Sequence, residues 1–237
     1  MSKLILPKQY VDKSGKYPQH EGKQKLSYSQ VTAWKDARYR PDYIKQYFAQ
    51  IQVPGNHFTD FGTDLGTYKE WVGTGRPEGL KPKLMYLKDE DLQWLDTLEY
   101  PENCVYEDLI VVDCGDFVME GYIDRCWYFP TNKVRIRDFK TGNIVKKKDE
   151  YASPDYNQTT LYSYQKKLEG YEIEESDVML FGRAGNNTLK SPLRLTKEYE
   201  IIPTPYSDER ALAFLDKVAV IAEEISDYYK QYLKFFG

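Results

Sequence analysis

Apolar positions along the chain switch from a helical to a strand period and back. Ser27 and Gln30 have the spacing of a capping box, and Val31, Trp34, Tyr43, Tyr47 and Phe48 recur at near-helical intervals after them. A first helix is therefore expected from Ser27, with Pro41 placed to kink or split it. A second helix is expected from about Phe61 to Val72, stopping at Gly73, and a short third from Asp89 to Leu98. From Cys104 the period becomes two. Val105–Val112, Phe117–Tyr128 and Val134–Phe139 are rich in β-branched and aromatic residues and are separated by turn formers at Gly115 and at Pro130, Thr131 and Asn132. This predicts an antiparallel three-stranded meander. A helix over Asp155–Leu168, a strand over Val178–Phe181 and a hairpin arm within Leu189–Ile202 follow. The last element is a long amphipathic helix from about Ser207 to Phe235, with Phe214, Val218, Ile221, Ile225 and Tyr232 along one face. The order helix, three strands, helix, strand is best buried by a mixed sheet with helices on both faces, so the fold class is α/β with extra helices at both ends.

Residues 1–25, polar with Pro and Gly, read as an extended lead-in, and residues 26–237 as a single domain. Apolar residues make up 41% and charged residues 30%, which suits a packed core and argues against wholesale disorder. No apolar run is long enough to span a bilayer, and the four-residue apolar patch near the start is too short for a signal peptide. The expectation is a cytoplasmic protein with no membrane partner. Cys104, Cys114 and Cys126 are too few and too far apart for a thiolate metal site and are read as reduced thiols, although Cys104 and Cys126 are placed to meet across strands. An iron–sulfur cluster, which takes about four cysteines, is excluded. The net charge of −4 argues against a broad basic surface, so any nucleic acid must bind in a local channel. Most of the 22 tyrosines are read as packing residues, with a few available to stack on bases.

The sharpest chemistry lies in the meander. It reads Gly121-Tyr122-Ile123-Asp124-Arg125, and then Arg135-Ile136-Arg137-Asp138-Phe139-Lys140-Thr141-Gly142. Side chains alternate along a strand, so Asp138 and Lys140 project from one face, and Asp124 joins them if the hairpin pairs in register. Paired carboxylates hold a hard cation such as Mg²⁺; the cation activates water, and a lysine neutralises charge on a phosphate under attack. Asp-x-Lys alone is most often an exposed ion pair of little consequence.

Its company changes that picture. Gly-Tyr-Ile-Asp-Arg followed by Ile-Arg-Asp-Phe-Lys-Thr-Gly resembles motifs II and III of the PD-(D/E)XK nuclease superfamily, nearest to the RecB-type branch with its Cas4-like proteins and phage exonucleases. Leu26-Ser27-Tyr28-Ser29-Gln30, with Trp34 and Tyr39, is similar to the family's opening helix, and Gln158-Thr159-Thr160-Leu161-Tyr162 to its Gln-x-x-x-Tyr motif. The resemblance covers about residues 26–185. It implies a restriction-endonuclease-like αβββαβ core, at about residues 60–185, and a Mg²⁺-dependent deoxyribonuclease in which Mn²⁺ substitutes. Asp124 and Asp138 are implied as metal ligands with the Phe139 carbonyl, Lys140 as the catalytic lysine, and Gln158 and Tyr162 as residues that position substrate or lysine. It further implies DNA as partner, exonuclease action in phage or mobile-element recombination, repair or replication, and a recombination or single-strand-binding partner protein. A homo-oligomer stays open, as does a non-catalytic DNA-binding module that keeps the fold.

The sequence departs from the pattern in two places. RecB-type enzymes carry a histidine four residues after a glycine in the helix before the sheet; after Gly62 that place holds Gly66. Four residues beyond Gly66 stands Glu70, which is assigned as the motif I ligand, against the plain alternative of a solvated helix charge. His20 and His57 are read as loop residues, and the C-terminal cysteine cluster of the iron–sulfur branch is missing. Alternation turns Arg125 and Arg137 away from the aspartates. Lys146, Lys147 and Lys148 read as a solvated loop or a contact to DNA backbone, and Arg183 as a residue that could reach a phosphate.

Overall fold

The computed structural model of the protein describes residues 23–49 and 55–236, so most of the expected lead-in, with His20, lies outside the described residues. The chain divides into two compact units that are interleaved in sequence. Six strands form a mixed sheet, and β2 and β3 each contribute residues to both units.

The first unit takes residues from 23–49, 109–121 and 209–236. Strand β1, Gln24–Leu26, runs parallel to the start of β3, Phe117–Phe129, with Gln24 opposite Phe117. Helix α1, Tyr28–Lys35, begins as expected: the Ser27 hydroxyl accepts from the Gln30 N–H and the Gln30 side chain accepts from the Ser27 N–H. Pro41 does split the helical stretch. It sits in the first turn of α2, Arg40–Tyr43, where its missing N–H costs nothing, and a π-helical turn over Ile44–Phe48 follows. Helix α7, Asp208–Phe236, buries Phe214, Val218, Ile221 and Ile225 as the periodicity requires, and Trp34 meets Tyr228 edge-on at 5.5 Å.

The second unit, residues 55–108 and 122–208, contains the candidate site residues. Helix α3, His57–Gly73, begins four residues before the expected start because Asn56 caps it, so His57 is helical rather than in a loop. Helix α4 covers Asp89–Leu95. Strand β2, Cys104–Asp113, turns at Gly115 into β3, and β3 runs antiparallel to β4, Lys133–Gly142, with Arg125 opposite Arg137. Helix α5, Ile144–Ala152, occupies the stretch read as a lysine loop; the Asn143 side chain caps it and Tyr151 buries its inner face. Helix α6, Gln158–Leu168, is the crossover that brings β5, Glu172–Ala184, parallel to β4. Strand β5 is far longer than its apolar stretch at Val178–Phe181, because its acidic first half pairs with the basic first half of β4. Strand β6, Arg194–Pro203, is antiparallel to β5. A core of Phe61, Leu65, Tyr68, Leu95, Tyr106, Phe139 and Phe181 packs under α3 and α4. The three cysteines are free thiols, and no helix among the described residues is long and apolar enough to cross a membrane.

Candidate functional site

Alternation along β4 sets the site. Val134 and Ile136 are fully buried on one face of the strand, and Asp138 follows them in the same row, so its carboxylate is drawn to 0% exposure beneath α6. Lys140 is next in that row, nearer the strand end and partly open to solvent, and its ammonium lies 2.6 Å from Asp138 Oδ2. The same Oδ2 accepts from the Tyr156 hydroxyl at 3.0 Å. The Tyr156 oxygen also lies 3.1 Å from Gln158 Oε1, and Gln158 Nε2 donates to the Tyr162 hydroxyl at 2.6 Å. Gln158 and Tyr162 thus share a helix face as their spacing predicts, and they reach Lys140 through Tyr156 and Asp138 rather than directly. Asp138 Oδ1 is buried with no partner among the described residues.

Asp124 sits on β3 one residue before Arg125, which faces Arg137 across the two strands. Its Oδ2 accepts from the Phe139 N–H, which fixes it beside Asp138. The group that binds Asp124 here is the Phe139 amide, where the resemblance assigned a role to the carbonyl. Burial, and then the Asp138 charge, push the Asp124 carboxyl well above the ordinary range, while Lys140 opposes the shift. Burial disfavours the Lys140 ammonium, but Asp138 and Asp124 outweigh it and raise its pKa. Burial, then Asp138 and Asp124, raise Tyr162.

Asp124, Phe139 and Lys140 open onto a cavity of about 650 Å³ that Glu70, Glu107, Tyr151, Lys147 and Arg183 also line. One wall is the face of α3 carrying Thr59, Gly62, Thr63, Gly66 and Thr67, with Glu70 at its far end. Small side chains at these positions keep the cavity open; a Cβ on Gly66 would meet nothing within 4 Å.

Three residues escaped sequence reasoning. Glu107 adds a carboxylate to the cavity from β2, where its φ of +50° departs from strand geometry. Desolvation raises its pKa, and the Glu70 and Asp138 charges add to that. The positive φ of a non-glycine residue was the missing signal, and no pattern of residue types carries it. Tyr156 was one tyrosine among 22. Lys69, next to Glu70, is fully buried: its ammonium lies 4.4 Å from the centre of the Tyr100 ring, 5.0 Å from Phe139 and 5.4 Å from Phe181, and it has no hydrogen-bond partner among the described residues.

Glu70, Asp124, Phe139 and Lys140 therefore share one cavity, with Asp138, Gln158 and Tyr162 wired beneath it. No three His, Cys, Asp or Glu side chains among the described residues form a ready cage for an ion. The donor set still suits a hard cation, since Asp124 and Glu107 repel neighbouring acids and Asp138 Oδ1 lacks a donor. Arg137 is structural as expected: it pairs through Nε and Nη2 with the buried Asp177, at 2.5 and 2.7 Å. Arg125 is buried too, 5.9 Å from the Phe139 ring. Lys147 and Lys148 are held by Glu150 and Glu200, which leaves less of the lysine run for a ligand.

No protein-family model matches the chain, and no curated protein matches it. Among solved structures, one titled "Crystal structure of SSO0001" is similar over 84% of this chain and 76% of that one, at 14% identity and a TM-score of 0.42.

Proposed function

We propose that the protein is a Mg²⁺-dependent deoxyribonuclease of the PD-(D/E)XK type, with a restriction-endonuclease-like core, that hydrolyses phosphodiester bonds. The observation that carries this reading is the Lys140 ammonium 2.6 Å from Asp138, with Asp124 and Glu70 opening onto the same cavity.

Asp124, Asp138 and Glu70 would hold the metal, with Glu107 an added acid at the same cavity. A cation held there would supply Lewis acidity and make a water it binds more acidic than bulk water. Lys140 now neutralises Asp138, and the same ammonium can turn to the charge that builds on a phosphate or hold the attacking water by a hydrogen bond. Tyr156, supported by Gln158 and Tyr162, fixes the Asp138 carboxylate. The Thr59–Thr67 face of α3 lets a sugar–phosphate backbone come close. By the same resemblance the expected role is exonuclease action in phage or mobile-element recombination, repair or replication. The test is digestion of linear DNA with Mg²⁺ or Mn²⁺ by wild type, Asp138→Ala and Lys140→Ala. Degradation by wild type alone supports the reading; equal degradation by all three overturns it.

A non-catalytic DNA-binding module is the second reading, favoured by the full burial of Asp138 under Lys140 and Tyr156. Calorimetry separates the two. A catalytic site binds Mn²⁺ and loses that binding in Asp124→Ala, whereas a scaffold shows no such heat in either form.

A further inference from the structure

A second cavity of about 520 Å³ adjoins the first, and Phe58 and Arg183 line both. Its other walls are backbone-rich: Gly142–Val145, where β4 passes into α5, and Gly182–Gly185 at the end of β5, with Thr196 and Glu198 of β6. Arg183 stands where the two cavities meet. Its guanidinium is 4.4 Å from the centre of the Phe58 ring, and Nη1 donates to the Phe58 carbonyl at 2.9 Å and to Thr141 Oγ1 at 3.3 Å. Both acceptors are neutral, so these contacts fix the plane of the fork without cancelling its charge. Partial burial lowers its pKa, as expected of a cation stripped of water without a matching anion. A rigid, stacked and uncancelled guanidinium is the group that best matches a phosphate, which it can grip through two N–H donors at once. The cavity of about 520 Å³ on its far side leaves room for a polymer to continue past it.

We propose that Arg183 anchors a phosphate of the substrate strand next to the scissile one, so that the nucleic-acid chain runs from the Asp124–Lys140 cavity across Arg183 into the groove beside Gly142 and Gly182. This rests on the nuclease reading above and adds a substrate class, namely chains with at least one phosphodiester beyond the bond cut. Glu198 on the far wall is exposed and sets the limit of the anionic path.

The experiment compares two substrates with wild type, Arg183→Gln and Arg183→Lys in Mn²⁺: a single-stranded oligonucleotide and the p-nitrophenyl ester of thymidine 5′-monophosphate, which has one phosphodiester and no flanking phosphate. Arg183→Gln is expected to raise KM for the oligonucleotide about tenfold with kcat nearly kept, the loss of one charge-assisted contact. The salt slope of log(kcat/KM) should fall by about one. Turnover of the p-nitrophenyl ester should not change. Arg183→Lys keeps the charge, so it keeps the slope while raising KM less. If the Gln variant folds poorly by thermal melting, the Lys variant still tests the KM split, since losing the two-pronged grip should raise KM for the oligonucleotide and leave the p-nitrophenyl ester unchanged. Equal loss on both substrates would mean Arg183 only braces Phe58 and Thr141, and the anchor is overturned while the nuclease reading stands. No loss on either substrate overturns it in the same way. Wild type inactive on both substrates removes the nuclease reading and the anchor together.

Discussion

The ammonium of Lys140 and the carboxylate of Asp138, two residues apart on β4, meet at 2.6 Å, with the acid fully buried and the lysine partly open. An ion pair graded in this way holds the buried charge while leaving its partner within reach of a ligand.

Removing the cation from that pair leaves the Asp138 charge in a dry site. Lys140→Met should destabilise the protein by roughly 1–3 kcal/mol in EDTA, discounted for the solvent that reaches Lys140. If the acids hold a divalent ion, Mn²⁺ should recover much of that loss by mass action, and recover more in Lys140→Met than in wild type. Urea midpoints with EDTA and with Mn²⁺ measure both effects; a midpoint blind to Mn²⁺ would remove the acids from metal binding.

Tyr156 holds Asp138 without belonging to either strand of the motif. Tyr156→Phe keeps the ring, which packs edge-on to Tyr151 at 5.1 Å, and deletes only the hydroxyl. Stability should drop by about 1 kcal/mol. On the nuclease reading, kcat should fall while KM holds, because the loss is in the positioning of Asp138. Steady-state kinetics with thermal melting tests this, and an unchanged kcat would leave Tyr156 a packing residue.

Lys69 gives the protein a pH signature. Burial, with Arg125 and Arg137 adding to it, lowers its pKa from 10.5 to about 7. The unfolded chain therefore binds this proton more readily than the folded one between those two values. The cost of burying the charge is present in full below pH 7, shrinks as pH rises through that window and is gone above about 10.5. Lys69→Met should be more stable than wild type by several kcal/mol at pH 6, and the gap should narrow toward pH 10 by about 1.4 kcal/mol for each pH step of one across the window. Urea unfolding of both forms across pH 6–10 decides it, and a constant gap would mean Lys69 is never desolvated.

Arg137 and Asp177 form a more deeply buried pair, across β4 and β5. Asp177→Ala should cost about 3–5 kcal/mol, since it strands a buried guanidinium, whereas the double change Arg137→Leu with Asp177→Leu should be close to neutral. Chemical unfolding of the single and the double variant decides between these outcomes. A double variant as unstable as the single would mean the pair adds net stability.

The period of two along β4 made Asp138 and Lys140 readable as neighbours, and it also put Arg137 on the opposite face, where Asp177 meets it. Ser27 with Gln30, and Gln158 with Tyr162, were readable because a cap and a four-residue helical step are local geometry. What escaped depends on the fold. Lys146-Lys147-Lys148-Asp149-Glu150 has no apolar stripe, so α5 is helical through its Asn143 cap and one buried tyrosine rather than through its pattern. Strand β5 is hidden by its acidic first half, which makes sense only once Lys133 and Arg135 lie beside it. Glu107 and Lys69 gave no signal because their surroundings come from residues distant in sequence.

The interleaving of the two units bears on how the molecule is made. The first draws on residues 23–49, 109–121 and 209–236, so Trp34 cannot meet Tyr228 until nearly two hundred intervening residues have been joined. The second unit lies within residues 55–208, so its chain is complete once Asp208, the first residue of α7, has been joined. On a ribosome the second unit can settle first, while the unit that contains α1 waits for α7 to emerge.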